Sequence, residues 1–196
     1  SPNSLHFKHS YEALSCGKHV ICEKPMFTTY DQYTTLLNYS KKVNKKIFEA
    51  FMFQHHHQFD KLKDVIENYN VGQIKTLHFK FGYPHRDEKD IRYDKNLGGG
   101  SYYDTACYLS KISSLLINEK PEKIFAYKTF CDKYEVDIGG NCIIKYDNDV
   151  TCIWDWGMGR SYSNSALIWS ENYNIKANMV FSKRSDLETS IILKPS

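Results

Sequence analysis

The order of two periodicities constrains the fold more than any other feature of the sequence. Residues 3–16 read as a helix that Asn3 can cap and Gly17 can end. His19-Val20-Ile21-Cys22 reads as a short buried strand. Thr29-Tyr30-Asp31-Gln32 matches a capping box, and Tyr33, Leu36, Leu37, Ser40 and Val43 follow at helical spacing. Ile47 to Phe53 reads as another strand. Helix, strand, helix, strand implies parallel strands joined by a crossover helix. From Glu122 onward the pattern changes to strand after strand, with Asp147-Asn148-Asp149 as a turn signal, which implies an antiparallel sheet.

Between these regions lie a helix marked by Phe59, Leu62, Val65, Ile66 and Tyr69, stopped near Gly72, and an alternating strand Leu77, Phe79, Phe81. Pro84 to Asn96 is a polar loop. After it a glycine run opens a further helix, with Ala106, Leu109, Ile112, Leu115 and Leu116 on its apolar side. The chain of 196 residues, 41% hydrophobic, is enough for one good core or two small ones.

The net charge of +3 comes from dispersed basic residues. The densest group, Lys41-Lys42 with Lys45-Lys46, falls at a helix end, where lysines meet the dipole favourably. A nucleic-acid partner would require a basic stripe or a binding motif, and neither is present. No apolar run approaches a membrane span, and the opening residues do not read as a signal peptide. The six cysteines form no Cys-x-x-Cys pair and read as reduced thiols in a cytoplasmic protein, although Cys142 and Cys152 flank a hairpin turn. His55-His56-His57 is not read as a metal site, because adjacent side chains diverge and no carboxylate or cysteine stands at ligand spacing.

Two motifs carry the chemistry. Glu23-Lys24-Pro25 ends the first strand. Gly98-Gly99-Gly100-Ser101-Tyr102-Tyr103-Asp104-Thr105-Ala106-Cys107-Tyr108 opens the later helix. In this order they resemble the glucose-fructose oxidoreductase, inositol dehydrogenase and rhizopine-catabolism (Gfo/Idh/MocA) family of NAD(P)-dependent oxidoreductases. Gly17-Lys18-His19-Val20, Glu49-Ala50-Phe51-Met52-Phe53, Val71-Gly72-Gln73-Ile74, Ile91-Arg92 and Val136-Asp137 extend the resemblance along nearly the whole chain. Gln54 and His57 depart from it, standing where the family carries an arginine and a proline.

The resemblance implies an α/β plus α+β fold. Residues 1–54 correspond to the C-terminal half of a Rossmann-type dinucleotide-binding domain. Residues 55–196 correspond to a substrate-binding sheet domain, large and mainly antiparallel, covered by helices. It implies NAD or NADP as cofactor, near Ser1, Pro2, Asn3, His6, Glu23, Lys24 and Pro25. It implies a small sugar, cyclitol or nucleotide-sugar substrate near Lys24, His56, Arg92, Asp104 and Tyr108. Lys24, Asp104 and Tyr108 are then the catalytic set, and the open sheet face makes a homodimer or homotetramer.

A tyrosine titrates near pH 10, and an ammonium beside it favours phenolate, so Lys24 is expected to lower the pKa of Tyr108. Asp104, four residues earlier on a helix, is expected to share its face. Arg92 reads either as an anion-binding residue or as a solvated loop arginine.

The phosphate-binding Gly-x-Gly-x-x-Gly is not found before the first helix, and the carboxyl-terminal end also looks shortened. Two expectations follow: a piece of an oxidoreductase, or a truncated non-catalytic relative that oligomerises or binds a ligand. The first fifty residues are expected to hold together less well alone than the sheet domain, because a parallel edge strand and its apolar faces lack partners.

Overall fold

The computed structural model describes residues 1–196 except residue 185. The chain starts with α1 (Asn3–Ser15), β1 (Val20–Glu23), α2 (Tyr30–Lys42) and β2 (Ile47–Ala50). β1 and β2 are parallel, with Val20 opposite Ile47 and Glu23 opposite Ala50. Gly17 ends α1 at φ +70°, and the amides of Gly17 and Lys18 bond back to Leu14 and Ala13. That paired arrangement needs a left-handed residue at Gly17. Thr29 caps α2 by accepting from the Gln32 amide at 3.3 Å. The Gln32 side chain accepts from the Thr28 amide, so the capping box closes one residue early.

Asn3 does not cap α1. Pro2 holds the cap position without a side-chain bond, and the Asn3 amide donates to the Gly98 carbonyl at 2.9 Å. A residue suited to a cap is used instead to hold the glycine loop against the helix start.

A 3-10 turn (Met52–His55) leads to α3 (His57–Asn68) and β3 (Ile74–Tyr83). After the polar loop, a π-helical turn (Tyr102–Ala106) runs into α4 (Cys107–Leu116). Five strands follow that make hairpins or near-hairpins: β4 (Pro121–Cys131), β5 (Val136–Tyr146), β6 (Thr151–Met158), β7 (Ser163–Ser170) and β8 (Tyr173–Asn178). β9 (Ile191–Pro195) comes last. The seven strands from β3 onward form one sheet in the order β4-β5-β6-β3-β7-β8-β9. β3 is parallel to β6 and antiparallel to β7, while the other pairings are antiparallel.

The alternation decides the faces. Leu77, Phe79 and Phe81 of β3 share a face with Cys152 and Trp156 of β6 and Ala166 and Ile168 of β7. They are buried with Phe59, Leu62 and Val65 of α3 and Leu109 and Ile112 of α4. The other face is left uncovered, and Phe125, Tyr127, Ile143 and Trp169 are exposed there. The first region has its own small core of Leu14, Val20, Cys22, Met26 and Leu36. Cys142 and Cys152 are buried on neighbouring strands out of register and, like the other four cysteines, are free thiols.

Candidate active site

The two motifs meet. Lys24 lies just past the carboxyl end of β1, and Asp104 lies in the π-helical turn, 80 positions later. Lys24 Nζ donates to the Asp104 carbonyl at 2.7 Å and to Asp104 Oδ1 at 3.0 Å. Both side chains are largely buried, at 13% and 14% exposure, so the pair is poorly screened by water. The same ammonium sits 4.8 Å from the centre of the Tyr108 ring.

The glycines make this approach feasible. Gly98 has φ +76°, and a Cβ there would stand 2.9 Å from the Asn3 side chain. Gly100 has φ +108°, and a Cβ would reach 2.6 Å from Asp137 Oδ1. Asp137, 5% exposed, accepts from the Ser101 hydroxyl at 2.6 Å and the Tyr102 amide at 2.7 Å. A buried carboxylate thus anchors the start of the turn that carries Asp104, where the helix dipole favours it.

Asp104 is the hub. Besides Lys24, its Oδ2 accepts from the Tyr83 hydroxyl at 2.5 Å and from Arg92 Nε at 2.7 Å. Burial would raise its pKa, but Lys24 and Arg92 outweigh burial and bring it down to about 2. Arg92 is bound on its other side to Asp90 at 3.0 Å. It is therefore not a solvated loop arginine. Its guanidinium is committed to two carboxylates, which raise its pKa against burial.

Tyr108 departs from expectation in two ways. It lies on α4 beyond the π-helical turn, so it comes to the same ammonium as Asp104 through a π-turn rather than through an α-helical i, i+4 spacing. Its ring packs edge-on to Phe51 and Phe81, each within 5.4 Å. Its pKa is raised, not lowered: burial dominates, with the Cys107 thiol, Asp104 and Glu23 adding to it. Lys24 sits over the ring at 4.8 Å, and its charge does not offset the burial.

His56 caps α3, its Nδ1 accepting from the Gln58 amide at 3.1 Å, and its Nε2 is buried without a partner among the described residues. Burial and the nearby Lys183 push its pKa down. The three histidines do not converge. His56 stacks on His57, and no cluster of three metal-ligating residues occurs among the described residues. His6 ties Ser1 to Pro25: its two ring nitrogens lie 2.8 Å from the Pro25 carbonyl and 3.0 Å from the Ser1 carbonyl, while Asn3 reaches the Gly98 carbonyl. Glu23 ends β1 beside them. Tyr83 escaped the sequence reading altogether. It closes an ordinary alternating strand, and only the folded chain brings it to Asp104.

Residues 1–51 match the family model described as an oxidoreductase family with an NAD-binding Rossmann fold. Residues 59–176 match the GFO/IDH/MocA C-terminal domain. The chain belongs to the Gfo/Idh/MocA family. Among curated members, dTDP-3,4-didehydro-2,6-dideoxy-alpha-D-glucose 3-reductase of Actinomadura kijaniata is 29% identical over 92% of this chain and 54% of its own length. D-xylose 1-dehydrogenase (NADP(+)) 2 of Haloferax volcanii is 29% identical over 76% of this chain and 46% of its own. Among solved structures, the 3-ketoreductase KijD10 from A. kijaniata, in complex with NADP and TDP-benzene, superposes with a TM-score of 0.86 at 26% identity. That match covers 100% of this chain and 63% of KijD10. The chain spans about half the length of the curated Gfo/Idh/MocA relatives it matches.

Proposed function

We propose that this chain is part of an NAD(P)-dependent oxidoreductase that moves a hydride between nicotinamide and a hydroxyl or keto carbon of a sugar, most simply a nucleotide-linked deoxysugar. The observation that carries the reading is the meeting of Lys24, Asp104 and Tyr108 across 80 positions at the carboxyl end of a parallel strand pair. Ligands of open α/β sheets bind outside those ends. The likeness to the 3-reductase supports the nucleotide-sugar choice, as does the NADP and TDP-benzene held by KijD10.

The residues present fit the nicotinamide end of a dinucleotide. The amino terminus of α1 has no side-chain cap; the Leu5 amide bonds the Pro2 carbonyl, and the Asn3 and Ser4 amides before it keep hydrogen bonds to give. We assign Ser1, Pro2, Asn3, His6, Glu23, Lys24 and Pro25 to the cofactor, supported by the His6 contacts that tie Ser1 to Pro25. The bound cofactor would supply or accept the hydride; the chain's own task is the proton. Lys24 has three N–H groups, two of them given to Asp104, so the third is left for a substrate oxygen or a ribose hydroxyl. Burial keeps the Tyr108 phenol protonated, so its ready state is the acid, which suits protonation of the oxygen when a ketone is reduced. The family resemblance assigns His56 to the substrate; its Nε2 is buried and unpartnered, so a substrate would reach it only after the side chains around it move. Arg92 acts on the substrate through Asp104.

We place the boundary between the nucleotide-binding and substrate units at residues 54 and 55, in the 3-10 turn. The exposed Phe125, Tyr127, Ile143 and Trp169 support a homodimer or homotetramer through the uncovered sheet face. No helix among the described residues is long and apolar enough to cross a membrane. The six free thiols favour a reducing, cytoplasmic setting.

The test is steady-state kinetics of the complete protein with NADPH, NADH and a dTDP-linked keto-deoxysugar. Lys24→Ala and Tyr108→Phe are each expected to lower kcat/KM by about a hundredfold or more. Unchanged turnover in both variants would refute the assigned roles.

A further inference from the structure

The hold on Asp104 is divided between its two oxygens, and the division has a consequence. Oδ1 takes the Lys24 ammonium. Oδ2 takes two donors, the Tyr83 hydroxyl at 2.5 Å and Arg92 Nε at 2.7 Å. These donors come from unlike places. Arg92 lies in a short 3-10 turn (Ile91–Tyr93) of the polar loop. Tyr83 is the last residue of β3, a central strand held on both sides by β6 and β7. The Tyr83 ring is 6% exposed, and the Arg86 guanidinium lies 5.0 Å from its centre. Its carbonyl accepts from the Arg160 amide at 3.1 Å. A hydroxyl carried by so fixed a backbone has little freedom, which is what a supporting group for a site requires.

We infer that Tyr83 is a positioning residue: its hydroxyl, with Arg92, fixes the Asp104 carboxylate so that the other oxygen tethers Lys24 beside Tyr108. Without the hydroxyl, Oδ2 keeps only the loop-borne donor, and the carboxylate can rotate away from Lys24. The effect on turnover rests on the oxidoreductase reading above; the hold on Asp104 does not. Phenol to carboxylate is a short, charge-assisted bond that strengthens with burial. It adds to Lys24 and Arg92 in favouring the ionised carboxylate of Asp104, while burial, and then Asp104 beside it, raise the pKa of Tyr83.

The experiment follows the Asp104 carboxyl carbon by NMR in this chain labelled at aspartate, assigned with Asp104→Asn, in wild type, Tyr83→Phe and Tyr93→Phe. Tyr93 is the control. It is equally buried, and its hydroxyl meets His85 Nδ1 at 3.0 Å and the Arg86 amide at 3.2 Å rather than Asp104. Tyr83→Phe is expected to raise the Asp104 midpoint by roughly one pH unit, and Tyr93→Phe to leave it in place. An unmoved midpoint in Tyr83→Phe, or an equal rise in both variants, would overturn the inference. In the complete protein, with NADPH and a dTDP-linked keto-deoxysugar, Tyr83→Phe is expected to lower kcat roughly tenfold with KM nearly unchanged. A raised KM at full kcat would instead make Tyr83 a ground-state binding residue and sink the positioning role. A wild type without turnover, beside an intact Asp104 shift, refutes the oxidoreductase reading alone.

Discussion

The two regions of the chain reach their structures by different routes. In residues 1–54, two four-residue strands pair only through a crossover helix, and the core is Leu14, Val20, Cys22, Met26 and Leu36. Ile21 points away from that core and is 80% exposed. In the sheet region, β4, β5 and β6 pair in chain order, and one continuous core runs from α3 across the sheet to Phe181. Parallel pairing must close a long loop before it gains any contact, whereas hairpins gain contacts locally. The catalytic candidates sit where the weakly supported region meets the strongly supported one. The site therefore depends on ties such as Lys24–Asp104 and Asn3–Gly98 as much as on either core.

The largest expected effect tests the stronger side. Leu109 is fully buried between α4 and the sheet, so Leu109→Ala should destabilise the sheet region by about 2–5 kcal/mol through lost transfer energy and a residual cavity. Trp154, Trp156 and Trp169 all lie in this region, so tryptophan fluorescence in urea reports its unfolding alone. The companion change Leu36→Ala, in the small core, should leave that fluorescence transition nearly in place. A shared shift would mean that the regions unfold as one unit and that the contrast is wrong.

Hydrogen exchange tests the weaker side without any substitution. Val20 to Cys22 should exchange about a hundredfold faster than Ile143 or Ile153, whose strands have partners on both sides. Equal protection in a monomeric sample would break the comparison.

The junction should show in pH. The folded pKa of Asp104, about 2, lies below its ordinary 3.8. A depressed carboxylate contributes its full stabilisation above the unfolded value and loses it as pH falls through the folded one. The contribution is about 2 kcal/mol above pH 4, disappearing between about pH 4 and pH 2. Asp104→Asn should flatten urea stability against pH in that window. A wild-type profile already flat there would show that Lys24 and Arg92 do not hold the carboxylate as the geometry indicates.

Sequence pattern carried the element order, the parallel pair and the α-helix containing Leu109, which rest on local periodicity. The meeting of Lys24 with Asp104 came only from the resemblance of the two motifs to the family. What escaped it depends on tertiary placement. Tyr83 looks like any strand-end aromatic until β3 is laid beside the glycine turn. Arg92 has two carboxylate partners, Asp90 two residues before it and Asp104 twelve residues on, and only the second could not be anticipated. The raised pKa of Tyr108 follows from Phe51, Phe81 and Phe181 closing around the ring, and a motif lists none of them. Pairing an ammonium with a tyrosine by proximity alone missed that its charge would not offset the burial.

The smallest expected effect separates backbone strain from packing at the end of α1. Gly17 has φ +70°, yet a Cβ there would meet no atom within 4 Å. Alanine at that position should cost about 1 kcal/mol, from the left-handed conformation alone. The penalty belongs to the first region, so Gly17→Ala should speed exchange in α1 and β1 and leave the tryptophan transition untouched. Gly100 is the sharper counterpart: φ is +108° and Asp137 Oδ1 would lie 2.6 Å from the new carbon, so strain and collision add. Gly100→Ala should therefore disturb the Asp137 anchor and the turn bearing Asp104, visible as a change in the Asp104 carboxyl resonance. If Gly17→Ala moved that resonance as well, the two regions would be coupled through more than the junction contacts, and their independence would have to be given up.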